Sequence, residues 1–210
     1  MEELDLPRAL NTLVNGSAAE RRQAVRVIRT ARATVACSTL VDALNSEIRD
    51  RRRWELQAQI ACALGECLCH EARPFLESLA ERLDVEWSVR KAALYSLLLL
   101  SWDTAPEIAT LRPYLASRRP EAPWAITSML KTGIEVSDEA QSLLIAWVNT
   151  LDPAWHGRIS PVAELAAAAF NWRSQAAVEF LAECARSADP VTALAARSAR
   201  RGARPRPLLW

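Results

Sequence analysis

Apolar side chains recur along this chain at offsets of four, four and three residues, the rhythm of one face of an α-helix. Leu56, Ile60, Leu64 and Cys67 form one series, and Val89, Ala93, Leu97 and Leu100 form the next. Tryptophans mark the period: Trp54, Trp87, Trp124 and Trp155 follow at intervals of 33, 37 and 31 residues. Behind the first three stand matched apolar pairs, Leu56/Ile60, Val89/Ala93 and Ile126/Leu130. A helical stripe with a period of roughly 30–40 residues predicts helix pairs that pile on one another, because one pair cannot cover its own apolar face. Period-two runs of β-branched and aromatic residues are absent, so no sheet is expected.

The pattern predicts a short capping helix over 4–13, ended by Asn15-Gly16, and a capping box at Ser17–Glu20. The first pair then carries Ala24, Val27 and Ile28 inward on one helix, and Val35, Thr39, Leu40, Ala43 and Leu44 on a second over 33–48. Beyond the charged link 49–53, the second pair covers 53–67 and 71–83, with Ala72, Phe75, Leu76, Leu79 and Leu83 inward. In the third, Asp103-Thr104 caps a helix reaching Leu115, with Thr104 and Glu107 as a further capping box. Residues 117–123 form a loop, and the fourth pair covers 124–131 and 137–149, with Ala140, Leu143, Leu144, Trp147 and Val148 inward. The fifth pair departs from the rule, since Gly157 stands where an apolar residue is expected; Ser160-Pro161 starts its helix instead. Its run Ala166–Ala169 requires a closely approaching neighbour, followed by helices over 172–187 and 189–201. The expected fold is all-α: a curved α-solenoid of about five helical hairpins plus capping helices, one domain over 1–203 with an extended tail at 204–210.

Composition supports helices and narrows the partners. Half the residues are hydrophobic, and Gly numbers only 5. The formal net charge of +1 argues against a dedicated nucleic-acid binder. Its distribution is uneven: +3 over 1–53, −7 over 54–185 and +5 over 186–210. The 5 cysteines follow an acidic Met1-Glu2-Glu3 start with no apolar leader, so reduced thiols and a cytoplasmic location are expected. No apolar stretch is long enough for a membrane span.

Catalytic chemistry has little support. Cys62, Cys67, Cys69 and His70 cluster without metal-ligand spacing, and inert buried thiols are the expectation. His156 with Asp152 and Glu164 has nothing to fix its geometry. No phosphate loop, nucleophile elbow or zinc-protease motif occurs, and no catalytic residue, metal or cofactor is assigned. Arg49, Arg51, Arg52 and Arg53, and the C-terminal group from Arg197 to Arg206, read as charged links and caps.

The segments WELQAQIACALGECL at 54–68 and EWSVRKAALYSLLLL at 86–100 resemble bacterial HEAT repeats of the phycobilisome-lyase type. Asp84, Val89, Arg90, Ala92 and Ala93 fit one copy of that pattern, and Ala63, Leu64 and Gly65 fit another. The resemblance implies a non-enzymatic scaffold whose inner face is formed by the second helix of each pair. Polar positions on those helices are the partner-binding candidates: Arg73, Glu77, Glu81, Glu107, Arg112, Glu139, Gln141, Gln175, Glu179 and Glu183. Acidic residues prevail among them, which points to a protein partner with a basic surface. Trp54, Trp87 and Trp124 are expected to pack between repeats, whereas Trp102, Trp147, Trp172 and Trp210 are candidates for exposed anchors. The function expected is a non-catalytic adaptor, regulator or inhibitor of the immunity type. Alternatives are a nucleic-acid binder similar to HEAT-like DNA glycosylases, whose motif Trp102-Asp103 and Trp172-Arg173 do not match residue by residue, and a bilin lyase.

Overall fold

A computed structural model describes residues 5–117, 119–151 and 160–205. All regular structure among them is helical, and no described helix is long and apolar enough to cross a membrane. Trp155, His156, Asp152 and Trp210 lie outside the described residues, as does most of the predicted tail. The chain divides into two compact units, one ending at Thr104 and the other starting at Ala105.

In the first unit the helices are α1 (Leu6–Asn15), α2 (Ala18–Ala31), α3 (Cys37–Glu47), α4 (Trp54–Glu66), α5 (Arg73–Glu81) and α6 (Trp87–Thr104). Helices α2, α4 and α6 neighbour one another in order; α1 and α3 pack beside α2 and α4, and α5 lies on α6. The capping box forms as expected, the Ser17 hydroxyl accepting from the Glu20 amide and the Glu20 carboxylate from the Ser17 amide. Helix α4 is the centre of this unit, with Leu56 through Gly65 buried all round. Gly65 explains how α6 comes so close: a Cβ there would stand 2.5 Å from the Ser96 backbone. In the gap the Ser96 hydroxyl donates to the Ala61 carbonyl at 2.6 Å.

Glu47 is buried and receives the guanidinium groups of Arg21 and Arg53. Arg29 forks onto Glu66 with two bonds of 2.7 Å, and the Tyr95 hydroxyl donates to the same carboxylate. Burial disfavours the charge on Arg29, but Glu66 together with Cys62 and Tyr95 outweighs it and raises its pKa.

The second unit contains α7 (Glu107–Ala116), α8 (Ala122–Leu130), α9 (Asp138–Val148), α10 (Pro161–Ala168), α11 (Gln175–Cys184) and α12 (Pro190–Arg200). Helices α8, α10 and α12 form one row, while α7, α9 and α11 form another. Ser160, Ser174 and Asp189 cap α10, α11 and α12 with side-chain bonds to early amides. The alanine run packs as the sequence requires: Ala166, Ala168 and Ala169 are fully buried beside α12. Lys131 and Glu164 form a buried ion pair between α8 and α10.

Four bonds between helices join residues a near-repeat length apart in sequence. Arg22–Glu55 and His70–Asp103 join residues 33 apart in the first unit, as do Lys131–Glu164 and Ser174–Gln141 in the second.

Four expectations need correction. Val35 is 71 % exposed, because the chain enters α3 through a 3-10 turn at 34–36 that swings it out of the helical register. Leu83 is 88 % exposed, because α5 stops at Glu81. No capping box forms at Thr104: α6 runs through that residue, its hydroxyl donates back to the Leu100 carbonyl, and Pro106 occupies the N-cap of α7. The thiols are not all reduced, since Cys37 and Cys69 stand 5.4 Å apart at Cα and are bonded. They lie 32 positions apart in sequence, and the bond joins the starts of two successive second helices.

Candidate protein-binding surface

The exposed face of the row α7–α9–α11 holds most of the sequence-predicted candidates. Two bonds set the register of these helices: the Trp147 indole donates to the Leu115 carbonyl at 3.1 Å, and the Ser174 hydroxyl to Gln141 at 2.6 Å. At the opposite end the Glu107 carboxylate accepts from the Ser137 amide at 3.0 Å and its hydroxyl at 2.5 Å. The helices therefore run side by side in the same sense.

Between α7 and α9, near their C-terminal ends, lies a shallow pocket of about 550 Å³. Leu115, Leu143, Ala146 and Trp147 give it an apolar lining, with Arg112 and Thr150 among its polar members. The bond to Leu115 holds the half-buried indole, and the Thr150 hydroxyl donates to the Trp147 carbonyl at 2.7 Å. Arg112 is exposed and makes no hydrogen bond or ion pair among the described residues. An apolar hollow beside an unengaged guanidinium suits an apolar side chain with a carboxylate near it.

The other candidates lie outside the pocket. Glu139 is exposed in the first turn of α9, Glu179 accepts from the Gln175 amide at 2.6 Å, and Glu183 is exposed farther along α11. Gln141 is buried and bonds Val136 and Ser174, so it fixes helix register instead of facing a partner. Trp172 is 3 % exposed; the turn after α10 folds it into the second unit, and it is no surface anchor. In the first unit Arg73 donates to the Ser101 hydroxyl at 3.2 Å and stands 4.0 Å from exposed Glu77. Glu81 is exposed at the end of α5, and half-buried Trp102 lies beside the exposed His70–Asp103 pair. Trp124 is buried as expected, whereas Trp54 and Trp87 are half-buried, with the Lys91 ammonium 4.8 Å from the Trp87 ring.

The chemistry elsewhere is quiet. Among the described residues no group of three His, Cys, Asp or Glu could hold a metal ion. Burial pushes the Cys62 thiol up to about 12 and those of Cys67 and Cys184 to about 11, far from a reactive thiolate. Asp103 is engaged by His70 at 3.0 Å.

Sequence reasoning missed Leu143, Ala146 and Thr150 as pocket residues. Leu143 counted as core because it fits the apolar series; the signal was that α9 has more apolar positions than its buried face needs. Compared with known proteins, the chain matches no family model, no curated protein and no solved structure.

Proposed function

We propose that this chain is a non-catalytic protein-binding scaffold of the HEAT-like solenoid kind, acting as an adaptor, regulator or inhibitor of the immunity type. One observation carries this: the apolar pocket of Arg112, Leu143, Ala146 and Trp147 on the exposed face of α7–α9–α11. An indole held by a hydrogen bond yet half open to solvent, beside a guanidinium, has the composition of a binding hot spot. The exposed carboxylates Glu139, Glu179 and Glu183 favour basic residues on the partner, so binding weakens as salt rises. Affinity purification from the native source, with wild type and Trp147→Ala side by side, tests this. A stoichiometric protein retained by the wild type and lost from the variant supports it; no retained protein, or one indifferent to Trp147, contradicts it. A cytoplasmic location belongs to the same proposal.

A second reading has one observation in its favour. Arg49 and Arg51, exposed and without hydrogen bonds or ion pairs among the described residues, line a cleft of about 170 Å³ with Arg82. They suit phosphate contacts of a nucleic acid, although Asp84 and Glu86 share the cleft. A gel shift at low salt, repeated with Arg49→Glu/Arg51→Glu, decides it.

A further inference from the structure

We propose that the α7–α9–α11 face takes one extended partner segment in one direction: a carboxylate over α7, an apolar anchor in the pocket and a cation over α11. This rests on the protein-binding reading above and names the chemistry that the partner must present.

The direction follows from comparing two neighbouring grooves. The contacts Leu115–Trp147 and Gln141–Ser174, at separations of 32 and 33, align each helix of this row with the next at a shift of about 33 residues. Exposure follows the same shift: Ala109, Arg112 and Pro113 are exposed on α7, Ser142 and Ala146 on α9, and Gln175, Val178 and Glu179 on α11. The residues lining the α7–α9 pocket therefore have counterparts between α9 and α11. Arg112 corresponds to Ile145, Ala146 to Glu179 and Thr150 to Glu183. Half-buried Trp147 corresponds to Phe180, which is buried and offers no open indole face.

So the first groove carries a guanidinium and no carboxylate, while the matched positions of α9 and α11 carry two carboxylates and no cation. Crossing the row, a ligand meets positive charge, then an apolar hollow, then negative charge. Adjacent helix axes lie about 8–10 Å apart, and an extended chain advances about 3.3 Å per residue. Each helix-to-helix step thus spans about three residues, and the carboxylate and the cation of the segment stand about six apart. A polyanion would be repelled by Glu179 and Glu183, and a uniformly basic segment by Arg112. Exposed charges of this kind select orientation more than they add affinity.

A random twelve-residue peptide library displayed on phage and selected on the full chain tests this. Ala146→Arg, which fills the pocket from an exposed helical position, serves as the counter-selected variant, and circular dichroism checks that each variant is folded. The expected peptides are lost on Ala146→Arg and share the order acid, apolar, base, with the acid and the base about six residues apart. Arg112→Glu is expected to weaken them about tenfold, and exchanging the peptide's acid for lysine to restore binding. Pocket-dependent peptides without that order, or indifferent to the Arg112 exchange, overturn the directional proposal and leave the protein-binding reading standing. No enriched peptide that Ala146→Arg abolishes overturns both.

Discussion

At the scale of single residues, burial decides which groups can act. Cys62, Cys67 and Cys184 are unpaired thiols inside packed helices, and burial raises the pKa of each to about 11 or 12. Native protein at pH 8 is therefore expected to resist a maleimide or disulfide reagent, while unfolded, unreduced protein exposes the three free thiols. Rapid full labelling of the native chain would contradict this burial. The same count taken on thiols trapped at lysis bears on location: five reduced cysteines fit the cytoplasm, and three fit an oxidising compartment. Some of this was legible in the sequence. Free cysteine is usually buried, and that expectation holds for Cys62 and Cys67 of the cluster but not for Cys69, whose sulfur is bonded. The Cys37–Cys69 bond was not legible, because it depends on the 3-10 turns that begin two successive second helices. Likewise Trp147 and Trp172 look equivalent in sequence, yet one half-lines a pocket and the other is sealed, since turn geometry after α10 has no periodic signature.

At the scale of elements, close approach and end-capping hold the helices. Gly65 lets α4 and α6 meet at the Ser96 backbone, where any side chain would have to displace main chain. Gly65→Ala is expected to destabilise the protein by about 1–3 kcal/mol, read as an earlier urea transition; unchanged stability would mean that the two helices do not touch there. Helix starts and links also set the acid response. The Ser17 hydroxyl and amide hold Glu20 below its usual range, Thr192 does the same for Asp189, Arg52 for Asp50 and Arg82 for Asp84. A carboxylate whose folded pKa lies below its unfolded value stabilises fully above the unfolded value and loses that contribution as pH falls through the folded one. The melting temperature is thus expected to be level above about pH 5 and to fall below about pH 4. A melting temperature that rises on acidification would contradict the sign. Helix number and core stripes were readable because a period of four, four and three leaves few alternatives. Helix ends were less so: α5 stops before Leu83 and α6 runs through a proposed cap, both decided by packing between neighbours.

At the scale of the molecule, the 31–37-residue intervals of the tryptophans are matched by bonds between helices that join residues 33 apart within each unit. Repetition of that kind sets like helices side by side and presents their outer positions as a ruled surface. On the α7–α9–α11 row, small changes at matched positions turn an Arg-lined apolar pocket into a carboxylate-lined groove. The sequence identified Arg112, Glu179 and Trp147 as candidates one by one. Their combination was not visible until the register between helices was known. The most direct test of a protein-binding role is site-specific photocrosslinking in the native cell, with benzoylphenylalanine at Ala146 and, as a control, at Leu194, exposed on α12. The expected result is a discrete protein adduct at position 146, absent at 194 and lost with Arg112→Glu. No adduct at 146, or the same adducts at both positions, would contradict the account.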